Sequence, residues 1–111
     1  MSETLVRHIV LIKYKEGTDK AAASAAIAKG IAGMKDAIPE MLAYQAGADL
    51  ALDPERNHDF AIQVDFASPE AHAVYATHPV HQKVIADDIK PVIAPGGRSA
   101  SQFSVPASAR L

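Results

Sequence analysis

The sequence predicts an α+β fold, a four-stranded antiparallel sheet with its helices on one face. Three observations predict it. Segments of strand and helix character follow in the order strand, helix, strand, strand, helix, strand. Two of the strands, at 5–14 and 60–66, are rich in branched and aromatic residues. Both helices open on side chains suited to capping. At 111 residues, 49% hydrophobic and 22% charged, the chain suits one core of modest size, so a single domain over 1–111 is expected.

The first segment, Leu-Val-Arg-His-Ile-Val-Leu-Ile-Lys-Tyr, reads as a strand ending in the Glu16-Gly17-Thr18 turn. Alternation puts His8, Val10, Ile12 and Tyr14 on one face and Arg7, Ile9, Leu11 and Lys13 on the other. Apolar residues occur on both faces, so helices cover one and something else covers the other. Thr18 or Asp19 then caps an alanine-rich helix running to Ala37, with Ala23, Ile27, Ile31, Met34 and Ile38 as its apolar stripe. Gly30 and Gly33 each weaken that helix by roughly 1 kcal/mol relative to Ala, unless a neighbour packs close there. Pro39 ends it. Residues 41–50 read as a strand and 53–58 as a polar turn.

In the strand at 60–66, Phe60, Ile62, Val64 and Phe66 share one face. Ser68-Pro69-Glu70 starts the next helix with a hydroxyl cap, a proline at the first helical position and an acid in the first turn. It runs to about Thr77, where His78-Pro79 breaks it and a new helix begins. Residues 87–95 are expected to complete the helical region, Gly96-Gly97 to turn the chain, and 102–105 to form a short last strand.

This is the βαββαβ order of the ferredoxin-like fold. Its bare sheet face would carry Ile9 and Leu11 beside Arg7, Lys13, Gln63 and Asp65. An uncovered apolar surface implies a partner, and a second copy of the chain is the simplest, so a homodimer joined through the sheet faces is predicted. The lack of cysteine rules out disulfides, thiolate metal sites and iron–sulfur clusters. A formal charge of −2 offers no basic footprint for nucleic acid or anionic lipid. No apolar run approaches a membrane span, and Met-Ser-Glu-Thr lacks a secretory pattern, so a cytoplasmic protein is expected.

Chemistry concentrates in Tyr75-Ala-Thr-His78-Pro79-Val-His81. With Pro79 opening a helix, His78 is its cap and His81 lies in the first turn. The partial positive charge of a helix N-terminus disfavours protonated imidazole, so a neutral His81 is available as a general base. Tyr75 lies one or two turns earlier, placed to donate to a developing oxyanion. His8, on the strand face turned to the helices, can reach the same space. Val10, Ile12, Ile27, Ile31, Met34, Ile62 and Val84 would line it. The same histidines also suit a purely structural break between helices. His58 reads as turn surface, and His72 has no partner visible in sequence. Without a third ligand beside His78 and His81, no metal is expected.

His8-Ile-Val-Leu-Ile-Lys, the 60–66 strand followed by Ser68-Pro69-Glu70-Ala, and Tyr75-x-x-His78-Pro79-x-His81 together resemble the stress-responsive A/B barrel domain (Dabb) family, from about residue 5 to 105. The resemblance implies ferredoxin-like subunits that pair their sheets into a dimeric α+β barrel. A plant member closes a linear polyketide by intramolecular aldol condensation without a cofactor. Its catalytic tyrosine and histidine match Tyr75 and His81, and its other site histidines match His78 and His8. That member carries bulky aromatics on its first helix where this chain has Ile27, Ala28 and Ile31, so its substrate is not carried over. The resemblance also admits a non-catalytic, stress-associated dimer, and fold analogy a cofactor-free monooxygenase.

Overall fold

The computed structural model describes residues 3–111; the Met1-Ser2 start lies outside them. The strands are β1 (Thr4–Tyr14), β2 (Ala43–Ala48), β3 (Phe60–Phe66) and β4 (Ile93–Pro106), and the helices are α1 (Lys20–Ala37), α2 (Pro69–Thr77) and α3 (Pro79–Val84). The sheet order is β2-β3-β1-β4, with antiparallel neighbours throughout, which is the ferredoxin-like α+β arrangement. Among the described residues no helix is long and apolar enough to cross a membrane.

Asp19 caps α1 by accepting from the Ala22 amide, and Ser68 caps α2 by accepting from the Ala71 amide. Ile38 closes α1 by donating its backbone N–H to Met34 just before Pro39. The α1 stripe (Ala23, Ile27, Ile31, Met34) is buried against Ile12, Phe60, Ile62, Val64 and Phe66 of the central strands. One core therefore lies between the sheet and the helices. Tyr14 enters it with its hydroxyl satisfied by Ser24 Oγ at 2.8 Å.

Several predicted elements need correction. Residues 87–95 do not complete a helical region: α3 continues into a single π-helical segment, Ile85–Ile89, and the chain turns at 90–92. The last strand starts at Ile93, not at 102, and pairs with β1 along nearly its whole length. Gly96-Gly97 lies within that strand, at a register shift between Ile12 and Tyr14, instead of forming a connecting turn. Gly96 takes φ +67°, and a Cβ on Gly97 would sit 2.6 Å from the Lys13 carbonyl oxygen. Only glycines fit a bulge of that shape. The strand expected at 41–50 is trimmed to Ala43–Ala48.

The opposite sheet face is partly closed by the chain itself. Arg7 and Asp65 are cross-strand partners, with Nε 2.9 Å from Oδ1. Asp65, predicted to lie on the bare face, is fully buried. Residues 109–111 lie over it: the Leu111 amide donates to Asp65 Oδ2, Arg7 Nη2 donates to the Ala109 carbonyl, and Arg110 Nη2 donates to the Leu42 carbonyl. Burial alone would raise the Asp65 pKa, but the bonds from Arg7 and Leu111 hold it below the usual carboxylate range.

Candidate functional site

On β1, His8 faces the helices between its register partners Val64 on β3 and Gln102 on β4. His72 and Tyr75, three apart on α2, share a helix side and look down on it. His8 lies 4.7 Å from His72 and 5.9 Å from Tyr75, ring centre to ring centre. Tyr75 in turn lies 4.2 Å from His81, in the first turn of α3. Four aromatic polar rings thus meet over the middle of the sheet.

They border a cavity of about 260 Å³ between sheet and helices. Of the residues singled out in the sequence, His8, Tyr75 and His81 line it, as do Val10, Ile12, Ile31, Met34, Ile62 and Val84. Ile27 is fully buried in the core but is not part of the wall. His78 is not part of the wall either: its Nδ1 accepts from the Val80 amide at 3.1 Å, so it serves as the cap of α3. A wider groove of about 470 Å³ lies beside Leu11, Leu50 and His58, and none of the candidate site residues reaches it.

The break at Pro79 sets the chemistry of His81. In an unbroken helix the Val80 N–H would bond to the Ala76 carbonyl four residues back. Here that N–H goes to His78, and the Ala76 oxygen is taken instead by His81 Nδ1 at 3.0 Å and by the Gln82 amide at 2.6 Å. A carbonyl only accepts, so His81 Nδ1 carries the hydrogen and Nε2 carries the lone pair. At His8 the opposite holds. The Gln102 amide nitrogen donates to Nδ1 at 2.8 Å, which leaves Nε2–H as a donor.

Electrostatics keeps these rings neutral. Burial, reinforced by the repulsion a protonated His8 would meet from His72, Arg98 and His81, lowers the His8 pKa to about 4. His72 is lowered by burial and then by Arg98. His81 is lowered chiefly by burial, against the upward pull of its bond to Ala76. Burial pushes the Tyr75 hydroxyl up to about 12, so it stays protonated near neutrality. The arrangement therefore offers a neutral base at His81 and a hydroxyl donor at Tyr75, 4.2 Å apart by ring centres in an apolar chamber.

The sequence reading missed His72, Gln102, Arg98 and the helical residues Ile85, Ile89 and Lys90, all of which border the cavity. For Gln102 a signal existed: an edge strand antiparallel to β1 would bring some side chain opposite His8. His72 depends on how α2 packs over β1, and the others depend on the π-helical turn and on the early start of β4, which the local sequence does not announce.

Comparison with known proteins gives this arrangement a family. The sequence model described as "Stress responsive A/B Barrel Domain" (Dabb) matches residues 6–103. No curated protein matches the chain. Among solved structures, a dimeric ferredoxin-like protein of unknown function from Thermobifida fusca is 30% identical, with a TM-score of 0.78 over 95% of this chain and 94% of that one. Hydroxynitrile lyase from Passiflora edulis is 20% identical, with a TM-score of 0.75 over 96% and 97% of the two chains. A Dabb family protein with a ferredoxin-like fold from Mesorhizobium loti is 20% identical, with a TM-score of 0.64 over 93% and 97%. With nearly the whole chain matched, the protein belongs to the stress-responsive A/B barrel domain family.

Proposed function

We propose that the protein catalyses proton transfer and carbon–carbon bond formation, or its reversal, on a small ketone-like molecule held between sheet and helices, using its own side chains as acid and base. The observation that carries this reading is the pairing of a lone-pair nitrogen on His81 with the protonated Tyr75 hydroxyl at an apolar cavity. In this reading His81 Nε2 takes a proton from a carbon next to a carbonyl. The C–H electron pair becomes the enolate, whose oxygen accepts from Tyr75 O–H. The enolate carbon then attacks a second carbonyl, and the imidazolium returns its proton to the new alkoxide. His8 Nε2–H is a second donor to the oxygen, while His78 acts as a positioning residue through the α3 cap.

Support at the level of the fold comes from the Passiflora edulis neighbour, named as a lyase. Because the Thermobifida fusca neighbour is described as dimeric, we also propose that two copies pair through the sheet face bearing Ile9, Leu11 and Phe103.

The test is deuterium exchange at the activated methylene of phenylacetone in D2O, followed by proton NMR. The protein should accelerate exchange above buffer. His81→Gln should lower the rate about 10²–10⁴-fold and Tyr75→Phe about 10²-fold, with folding checked by circular dichroism. Exchange no faster than buffer, or variants as fast as the parent, would return the site to the structural reading.

A further inference from the structure

The cavity described above has an uneven charge, and this deepens the proposed reading by indicating what kind of molecule enters. Among the described residues, its wall contains no carboxylate but two permanent cations, Arg98 of β4 and Lys90 at the end of the π-helical turn. Both are exposed at one end and reach the cavity at the other, which places them at its mouth. Among the described residues neither side chain forms an ion pair. The buried acids are committed elsewhere: Asp65 to Arg7, and Asp59 to Lys20 and the Tyr14 amide. The guanidinium is also near enough for its field to act on His8, His72, Tyr75 and His81 together.

Local backbone geometry puts these cations where they are. Ile12 and Arg98 are register partners, so Arg98 shares the helix-facing side of the sheet with Ile12. In the π-helical turn the Lys90 N–H reaches back five residues to the Ile85 carbonyl at 2.8 Å. A turn that wide brings residues four and five apart onto one side, so Ile85, Ile89 and Lys90 all border the cavity. The turn thus builds an apolar wall ending in an ammonium group.

We propose that the cavity takes a compact apolar molecule carrying one carboxylate, with the carboxylate bound by Arg98 at the mouth and supported by Lys90. A guanidinium is shaped for the two oxygens of a carboxylate, and an apolar pocket with a few placed polar groups orients its ligand through them. About 260 Å³ holds a body on the scale of a single ring or a short chain. One guanidinium and one ammonium suit a single carboxylate better than a polyphosphate. Anchoring the carboxylate at the mouth leaves the apolar body, with any ketone it carries, to extend toward His81 and Tyr75. The anion also offsets the field of Arg98, making His81 a stronger base when the site is filled.

The inference rests on the cavity being a ligand site, and a matched pair of probes separates the two ideas. Octanoate and octanamide have the same chain and differ in charge. Titration of each should be followed by the imidazole proton signals of His8 and His72. Octanoate should bind at least tenfold more tightly than octanamide and shift both signals. Arg98→Gln should remove that preference and leave octanamide binding unchanged, while Arg98→Lys should keep part of it. Even without ligand, Arg98→Gln should raise the titration midpoints of His8, His72 and His81, which a merely structural arginine would not do.

Equal binding of the two probes, or an octanoate preference that survives Arg98→Gln, overturns the carboxylate site. Binding of neither overturns the carboxylate site, and the proposed reaction falls with it only if phenylacetone exchange is also no faster than buffer. A charge-dependent octanoate site in a protein that exchanges no phenylacetone protons sinks the catalytic reading alone.

Discussion

His81 is basic at one atom because of its neighbours, and that has a measurable pH consequence. Its pKa, like those of His8 and His72, lies below the ordinary imidazole value, so the proposed base stays free at a lower pH than an ordinary histidine would. The exchange rate should therefore fall, as His81 takes up a proton, at a lower pH than it would for an ordinary imidazole, a profile that stopped-flow or NMR rates will trace. Stability follows the same sign. Unfolded His8 binds a proton near pH 6.5 and folded His8 only near 4, so folding loses support as pH falls through that interval, by roughly 3 kcal/mol at about 1.36 kcal/mol per pH unit. Urea titrations at pH 7 and pH 4.5 should show the loss, and His8→Gln should shrink it. At this scale the sequence was readable where chemistry follows from spacing: Tyr75, His81 and the inward-facing His8. His72 and Arg98 were not readable, because their roles depend on rings and strands distant in sequence.

Two glycines on α1 show how packing overrides propensity within one helix. A Cβ on Gly30 would lie 2.8 Å from Asp88 Oδ2 and 3.0 Å from Val84 Cγ1, whereas nothing lies within 4 Å of one on Gly33. Gly33→Ala should therefore stabilise by about 1 kcal/mol, through helix propensity alone. Gly30→Ala should gain less or destabilise, since α1 must move off α3; thermal melts of the two variants decide it. Capping made α1 and α2 readable from sequence: Asp19 and Ser68-Pro69 act as their residue types suggest. β4 was misread because Pro95, Gly96, Gly97 and the serines after them resemble a turn region, and only pairing with β1 makes them a strand. Pro79 belongs to this scale too. Pro79→Ala would let the Val80 N–H return to the Ala76 carbonyl and displace His81 from it. The expected outcome is a folded protein, by circular dichroism, with exchange at least tenfold slower.

At the scale of the whole molecule, the question is what finishes the sheet. Its outer face keeps Phe103 at 46% exposure, with Ile9 and Leu11 only half-buried. If a second copy closes that face, sedimentation at micromolar concentration should give a dimer, and Ile9→Asp should give a folded monomer. A monomeric parent protein would remove that proposal. The order of elements made the two-layer plan plain from the sequence. Self-coverage of Asp65 was not, since stretches as short as 109–111 carry no periodicity to say where they lie. Those residues work as a clasp on the outer side of the sheet. Cutting the chain after Ser108 would leave the Asp65 carboxylate to Arg7 alone and admit water to a charge that is fully buried in the intact fold.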